Sequence, residues 1–385
     1  MMATSYQIEH PGVFILEEME AREWNQTDLA YILDMSVQQL NKILNGKVSV
    51  SMDMAASLGE AFDVPAEFFA NLQKQHDLQK AKQPEPGIRT RATWLANYPI
   101  REMIDRGWIE KTEAGLLDLQ MMRFFNTNSI ENIPFFGGRA AAHAAKKTGY
   151  DEPIGSQLVW LHRVRGIAGT MSAPLYDRAK LKDMLHHVRA HMFDLDDFGE
   201  IPALLLDCGV RTVFVEHLPG SKIDGVCTWL GDQPVIGMSL RLNRPDNLCF
   251  VLRHEIEHVL NEDGKDKPTG YSHVDVFEPD RNTDLMPDEE KIADTAAAEF
   301  LIPQDKLASF ISRKGKWISE TDVLAFSARH HIHPAVVIGQ IQRHRHVEGD
   351  ERAFAFLRKY MTKVHEHFFD WEFRDGWGKV ANVGL

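Results

Sequence analysis

The sequence predicts an α+β protein that is mostly helical, with helices at the N-terminus and in the middle and a small β-sheet in the C-terminal half. Apolar residues recur with helical spacing from the start, as in Val13, Leu16 and Met19. Between residues 201 and 240, β-branched and aromatic residues cluster between turn residues instead. The expected strands are Thr212 to Val215, Val226 to Trp229 and Val235 to Met238.

Turn and capping residues divide the helical parts into elements. In the N-terminal region Ser36 and Ser51 are placed to cap helices, and Pro65 is placed to open one. The expected N-terminal helices run from Pro11 to Arg22, Gln26 to Leu33, Val37 to Leu44, Ser51 to Phe62 and onward from Pro65. The expected C-terminal helices run from Pro245 to Leu260, Asp288 to Leu301 and Glu320 to His346, the last with a break at Pro334.

Composition limits the class of protein. A chain of 385 residues that is 44% hydrophobic can bury the cores of two or three domains. It has no apolar run of membrane-spanning length and no basic patch followed by an apolar stretch at its start, so we expect a cytoplasmic protein without a membrane partner. Its three cysteines lie in apolar surroundings without CxxC spacing, which favours buried reduced thiols over a cysteine metal site.

The clearest domain boundary lies between residues 80 and 87, where two prolines and a glycine stop a helix and charged residues solvate the chain. We expect five regions. They are an all-helical domain at 1–80, a linker at 81–92, a helical middle region at 93–195, a domain with the small sheet at 196–346 and a tail of unassigned role at 347–385.

A metal-binding pattern lies on the helix predicted from Pro245. His254 and His258 are four residues apart, so their imidazoles share one helix face and can bind a common ion. Glu255 follows the first histidine and is placed to take a proton from a metal-activated water. This HExxH pattern predicts one Zn²⁺ per chain and catalysis by Glu255. The alternative is a surface helix whose polar residues are merely solvated.

The next helix offers the rest of the site. Glu290 is the expected third zinc ligand, and Asp294 is the expected carboxylate that accepts a hydrogen bond from a ligand histidine. Between the two helices, Tyr271 and His273 are candidates for stabilising a tetrahedral intermediate.

These motifs resemble the ImmA/IrrE family of metallo-endopeptidases. The resemblance is carried by His254 to His258, Glu290 to Asp294 and Ala297 to Pro303, with Leu240-Arg241, Asp246, Asn97 to Met103 and Arg106 to Ile109 in addition. It implies a zincin-like domain that cleaves a partner protein, often a transcriptional repressor or another regulator. One departure is Glu257, which replaces the usual glycine and, on a helical wheel, lies close to the His254–His258 face, where it could crowd the metal or compete with Glu255.

The N-terminal region resembles HigA-type antitoxins and the wider Xre-like helix-turn-helix repressors. The matching segments are Pro11 to Val13, Trp24 to Ala30, Leu40 to Gly46 and Pro65 to Phe69. In such folds the second helix of the motif enters the major groove of double-stranded DNA. The expected DNA-contacting residues are Gln26, Thr27, Gln38, Gln39, Asn41, Lys42 and Lys47. The resemblance to antitoxins also makes a toxin a candidate partner, and a second copy of this chain is a further candidate.

The net negative charge of the N-terminal region disfavours binding to the phosphates of DNA. Residues 1–80 carry five lysines and arginines against twelve acidic residues, a net charge of −7, whereas DNA affinity depends mainly on neutralising phosphates. Either a dimer concentrates Lys42 and Lys47 on one face, or the domain has become a protein-interaction module. Two functions therefore remain open: a zinc endopeptidase with a DNA-binding module, and a HigA-like antitoxin or transcriptional regulator whose metal site is sensory or structural.

Overall fold

The computed structural model describes residues 9–85, 87–133, 154–267 and 286–383. The chain divides into two compact units, residues 1–85 and 86–385. The mostly helical α+β fold class is confirmed. Within the described residues, no helix combines the length and the apolar character that a membrane span requires.

The described part of the N-terminal unit, residues 9–85, is a bundle of five helices. They are α1 Pro11–Ala21, α2 Gln26–Ile32, α3 Val37–Leu44, α4 Met52–Phe62 and α5 Ala66–Lys80. Side-chain caps define the helix starts: Asn25 and Asp28 form a capping box on α2, and Ser36 forms one with Gln39 on α3. The predicted starts at Ser36 and Ser51 are confirmed, because both hydroxyls accept backbone hydrogen bonds there.

One apolar core holds this unit together. Fully buried side chains from every helix meet in it, among them Ile15, Leu29, Leu40, Leu58 and Phe69. Burying each such side chain stabilises the fold by about 1.5 to 3 kcal/mol relative to exposure. The packing fixes α2 and α3 relative to each other, so their outer faces form a rigid surface.

The larger unit contains eleven described α-helices and one described sheet. The helices are α6 Gly87–Asn97, α7 Ile100–Asp105, α8 Ala114–Phe124, α9 Gly155–Thr170, α10 Arg178–His191, α11 Ile201–Asp207, α12 Pro245–Asn261, α13 Asp288–Leu301, α14 Gln304–Lys314, α15 Glu320–His330 and α16 Pro334–Val347. The strands are β1 Arg211–Val215, β2 Gly225–Leu230, β3 Gln233–Met238 and β4 Arg374–Asp375. The three predicted strands are confirmed, and so is the helix break at Pro334.

The sheet has the order β2-β3-β1-β4, with β1 parallel to β3 and β4 and with β2 antiparallel to β3. It is buried on both faces, which explains why its strands are continuous apolar runs. Val213 and Val226 pack with α9 on one face, whereas Phe214 and Ile236 join the core of α12 on the other. The sheet therefore separates two cores, and α12 lies directly against one of them.

The segment after α16 completes this unit. Asp375 in β4 is buried, and its Oδ2 accepts hydrogen bonds from the Arg163 guanidinium at 2.5 and 3.0 Å and from the Ala381 N–H. Its Oδ1 accepts a hydrogen bond from Trp108 Nε1 at 2.8 Å. The tail at 347–385, which has no predicted role, therefore pairs with the interior strand β1 and contacts Trp108 and Arg163 in the larger unit.

Candidate metal centre

Helix α12 supports the site. Pro245 occupies its first turn, where a missing N–H costs nothing, and Glu262 ends it in the left-handed conformation (φ 58°). The helix packs against the sheet, α13 and α16, and this packing encloses its polar residues His254, Glu255 and His258. His254 and Glu255 are fully buried, and His258 is 3% exposed.

The structure brings His254, His258 and Glu290 together, with one donor atom of each within 4.8 Å of the others. The two Nε2 atoms lie 2.9 Å apart. Oxygen atoms of Glu290 on α13 lie 3.3 Å from Nε2 of His254 and 3.4 Å from Nε2 of His258. All three residues are buried, so this is a group of residues that could hold a metal ion.

A carboxylate faces the far side of each imidazole. Nδ1 of His254 lies 3.0 Å from Oδ1 of Asp294, the arrangement that the sequence predicts, and Nδ1 of His258 lies 2.8 Å from Oδ2 of Asp263. Such carboxylates hold the proton on Nδ1, so that each Nε2 presents a lone pair.

The donor set fits zinc. Two nitrogen lone pairs and a carboxylate converge at 2.9 to 3.4 Å, where they repel one another unless a cation lies between them. Ligand atoms about 2.0 to 2.2 Å from a tetrahedral zinc ion lie roughly 3.3 Å apart. Neutral imidazoles and a carboxylate are also ligands that zinc prefers.

Glu255 is positioned by the sheet. Its carboxylate lies against Gly225, the first residue of β2, and any Cβ at that position would overlap Oε1 of Glu255 and approach Cγ1 of Val251 to 2.7 Å. The strand therefore comes this close to α12 only because residue 225 is a glycine.

Glu257, the residue considered able to crowd the metal, is paired with a residue of its own helix. Its Oε2 accepts a hydrogen bond from Arg253 Nη2 at 2.7 Å, one helical turn earlier. The Arg253 guanidinium also lies over the Phe300 ring, 5.0 Å from its centroid. Residues four apart are neighbours on a helix, so the hydrogen bond from Arg253 fixes the side chain of Glu257 along α12.

The remaining candidate residues are the two proposed to stabilise a reaction intermediate and those proposed to contact DNA. Tyr271 and His273 lie outside the described residues. The predicted DNA-contacting residues lie along α2, α3 and the turn after α3: Gln26 is half-buried, and Thr27, Gln38, Gln39, Asn41, Lys42 and Lys47 are exposed. Gln39 is engaged in the α3 capping box and Asn41 contacts Asn45, which leaves Gln38 and Lys42 as the outward-facing polar side chains of α3.

Asp263 lies outside the predicted metal-binding motif. The signal for it was the helix ending in Asn261-Glu262-Asp263-Gly264, because a left-handed helix end reverses the chain and returns the following residues toward the last turn.

The chain is similar to several known proteins. A helix-turn-helix family model matches residues 15–69. Virulence-associated protein A' of Dichelobacter nodosus is 33% identical over 97 residues, which cover 25% of this chain and 84% of that protein. An HTH-type transcriptional regulator of Haemophilus influenzae is 35% identical over 68 residues, which cover 17% of this chain and 64% of that protein.

Among solved structures, an addiction module antidote protein of a HigA family from Coxiella burnetii aligns with a TM-score of 0.18 and 26% identity. That alignment covers 20% of this chain and 99% of the other. The family model places its match on helices α1 to α5. The family-model match shows that the chain carries an N-terminal helix-turn-helix domain. The similarity to 84% of the length of virulence-associated protein A' shows that the chain belongs to the family of that protein.

Proposed function

We propose that this protein is a zinc-dependent endopeptidase that cleaves a partner protein and that its helix-turn-helix domain binds double-stranded DNA. The observation that carries the proposal is the buried convergence of His254, His258 and Glu290 beside Glu255. A site that only stabilises a fold has no need for a buried glutamate next to its ligands. The resemblance of these motifs to ImmA/IrrE peptidases supports the same activity.

In this proposal His254, His258 and Glu290 hold the zinc ion. When bound, zinc supplies the positive charge that activates a water molecule and polarises a peptide carbonyl. Glu255 accepts the proton of that water on its carboxylate and then delivers it to the amine of the leaving peptide. Burial strengthens these steps, because charges interact more strongly where water is excluded. Asp294 and Asp263 hold the two imidazoles in the ligating tautomer.

The proposed substrate is a regulatory protein. This assignment comes from the resemblance to ImmA/IrrE peptidases and from the helix-turn-helix domain on the same chain, which would bring the peptidase to a DNA-bound partner. The acidic charge of that domain favours a DNA contact carried by a few residues over broad electrostatic attraction.

The test uses a peptide library prepared from a digested proteome. The zinc-loaded full chain is incubated with the library, and new peptide termini are identified by mass spectrometry. Wild type is expected to generate new termini with a shared sequence preference, and Glu255→Gln is expected to bind one zinc and generate none. Equal cleavage by a zinc-loaded Glu255→Gln chain would overturn the assignment of Glu255 as the general base.

A second candidate function is a DNA-binding regulator whose metal site is structural or sensory. It is favoured by the outward-facing Gln38 and Lys42 on a helix that the domain presents to solvent. The two functions differ in cells that carry the Glu255→Gln chain. A regulator without peptidase activity keeps wild-type transcript levels in that strain, whereas a peptidase that removes a repressor does not.

A further inference from the structure

The loop after α12 carries a carboxylate that faces the candidate metal centre from outside the predicted motif. Oδ2 of Asp263 lies 2.8 Å from Nδ1 of His258. The other ring nitrogen of His258 faces Glu290 and His254. Asp263 therefore contacts Nδ1 of the imidazole, whereas Nε2 faces the other two candidate ligands.

The end of the helix brings Asp263 back to this ring. Its N–H donates to the carbonyl of His258 at 3.0 Å, and the Glu262 N–H donates to the carbonyl of Val259 at 3.2 Å. This pair of bonds is the Schellman arrangement, in which the residue two past the helix returns to its last turn. The backbone of the metal ligand and the backbone of Asp263 are therefore directly connected.

The β2–β3 hairpin fixes the same loop from the other side. Nε1 of Trp229 on β2 donates to the carbonyl of Asp263 at 2.9 Å. Lys265 lies 5.3 Å from the centroid of the Trp229 ring, and its Nζ lies 3.5 Å from Oδ1 of Asp232 in the hairpin turn. Asp263 is thus held at its N–H by the helix, at its carbonyl by the sheet and at its side chain by His258.

We propose that Asp263, fixed by Trp229, is a positioning residue that sets the zinc affinity of the site through His258. A carboxylate that accepts the Nδ1 proton fixes the tautomer, fixes the ring angle and makes Nε2 a stronger electron donor. Asp294 does the same for His254 from α13, so each histidine has its own carboxylate. The inference rests on the proposed metal centre, but it concerns metal binding and requires no peptide substrate.

The test compares Asp263→Asn with Asp266→Asn in the full chain. Asp266 is exposed in the same loop, three residues further along the chain, so its variant removes the same charge from a side chain that faces solvent. Zinc affinity is measured by competition with a chromophoric chelator. Asp263→Asn is expected to weaken zinc binding by about 10- to 100-fold, and Asp266→Asn is expected to bind as wild type does. Equal affinities of wild type and Asp263→Asn would overturn the proposal.

A spectroscopic measurement separates positioning from general destabilisation. With Co²⁺ in place of zinc, the visible absorption bands report ligand geometry, and Asp263→Asn is expected to shift them whereas Asp266→Asn is not. Trp229→Phe keeps an aromatic ring against Tyr176 but removes the Nε1–H donor, and it is expected to lower zinc affinity by about tenfold. Unchanged affinity and unchanged Co²⁺ bands in Trp229→Phe would contradict the role given to the tryptophan.

The two proposals fail in different ways. If wild type takes up no zinc at all, the proposed metal centre is wrong and the present inference falls with it. If wild type binds zinc and Asp263→Asn binds it equally well, only the positioning role is wrong. If zinc affinity drops as expected but no peptide is cleaved, the positioning role stands and the peptidase proposal is the one contradicted.

Discussion

At the candidate metal centre, the sequence predicts which residues face each other along one helix, but it does not predict which residues of other elements contact them. The spacing of His254 and His258 places both imidazoles on one helix face, and this inference needs only helix geometry. The contact between Glu255 and Gly225 depends on how closely β2 approaches α12. The spacing of Gly225 and Glu255 in the sequence does not predict this contact, because the two residues lie on different elements that the tertiary fold brings together.

Gly225→Ala tests the position of Glu255. The added methyl group would overlap the Glu255 carboxylate and crowd Val251, so Glu255 must move, whereas none of the three atoms nearest to that methyl group belongs to His254, His258 or Glu290. We expect peptide cleavage to fall at least tenfold, since small displacements of a catalytic group are costly, with zinc content unchanged. A matched control is Gly169→Ala on α9, where an added Cβ meets no atom within 4 Å. Full cleavage by Gly225→Ala would show that the contact does not position Glu255.

At the scale of elements, helix ends were the most predictable features. Ser36, Ser51 and Pro334 indicate helix starts that the structure contains, because a cap is a local interaction. Asp263 was missed for the opposite reason. Its proximity to His258 follows from the left-handed helix end at Glu262, a conformation that sequence predicts most readily when glycine is present.

The exposed face of α3 predicts a specific DNA contact. Lys42→Ala is expected to weaken binding of the full chain to a selected DNA fragment and to reduce the slope of log affinity against log salt by about 1, because one phosphate contact is lost. Lys74→Ala removes the same charge from α5, where the side chain is also exposed, and is expected to have little effect. Equal losses in the two variants would indicate that only net charge matters and that α3 does not enter the groove.

The start of α16 predicts a dependence of stability on pH. Nδ1 of His333 accepts a hydrogen bond from the Ala335 N–H at 3.1 Å, and burial lowers the pKa of His333 to about 4 although Asp194 opposes the shift. The unfolded chain takes up this proton near the ordinary pKa of 6.5. Below that value the unfolded state binds more protons, so stability is complete above pH 6.5 and falls as the pH drops toward 4.

His333→Asn keeps a good capping residue and removes this titration. Between pH 7 and pH 5, wild type is expected to lose up to about 2 kcal/mol more stability than the variant. Urea unfolding followed by tryptophan fluorescence measures it, because seven of the eight tryptophans lie in residues 86–385. His333→Ala removes the cap as well and is expected to be about 1 kcal/mol less stable than His333→Asn at pH 7. Equal losses by wild type and His333→Asn would contradict this account.

On the scale of the whole molecule, the residues after α16 hold the larger unit together. They carry no sequence signal for this role, because β4 has only two residues and no strand pattern. Its pairing with β1 joins Val215 to Asp375, which are 160 residues apart, and the bonds of Asp375 to Arg163 join positions 212 residues apart. Such long-range contacts have no local signal, whereas the fold class followed from composition and periodicity alone.

Asp375→Asn tests this closure. The substitution leaves the buried Arg163 without its charge partner, and breaking a buried ion pair typically costs about 3 to 5 kcal/mol. We expect a loss of at least about 3 kcal/mol in the unfolding free energy of the larger unit. Asp370→Asn changes an exposed residue and should stay within about 0.5 kcal/mol of wild type. A similarly small effect of Asp375→Asn would show that the C-terminal segment is dispensable for stability.

The most direct measurement is the zinc content of the purified full chain after equilibration with zinc and removal of unbound metal. The account predicts one zinc per chain for wild type and for Glu255→Gln, and none for the chain that carries both His254→Gln and His258→Gln. A wild-type chain without zinc, or a double variant that still holds one, would contradict the claim that His254, His258 and Glu290 form a metal centre.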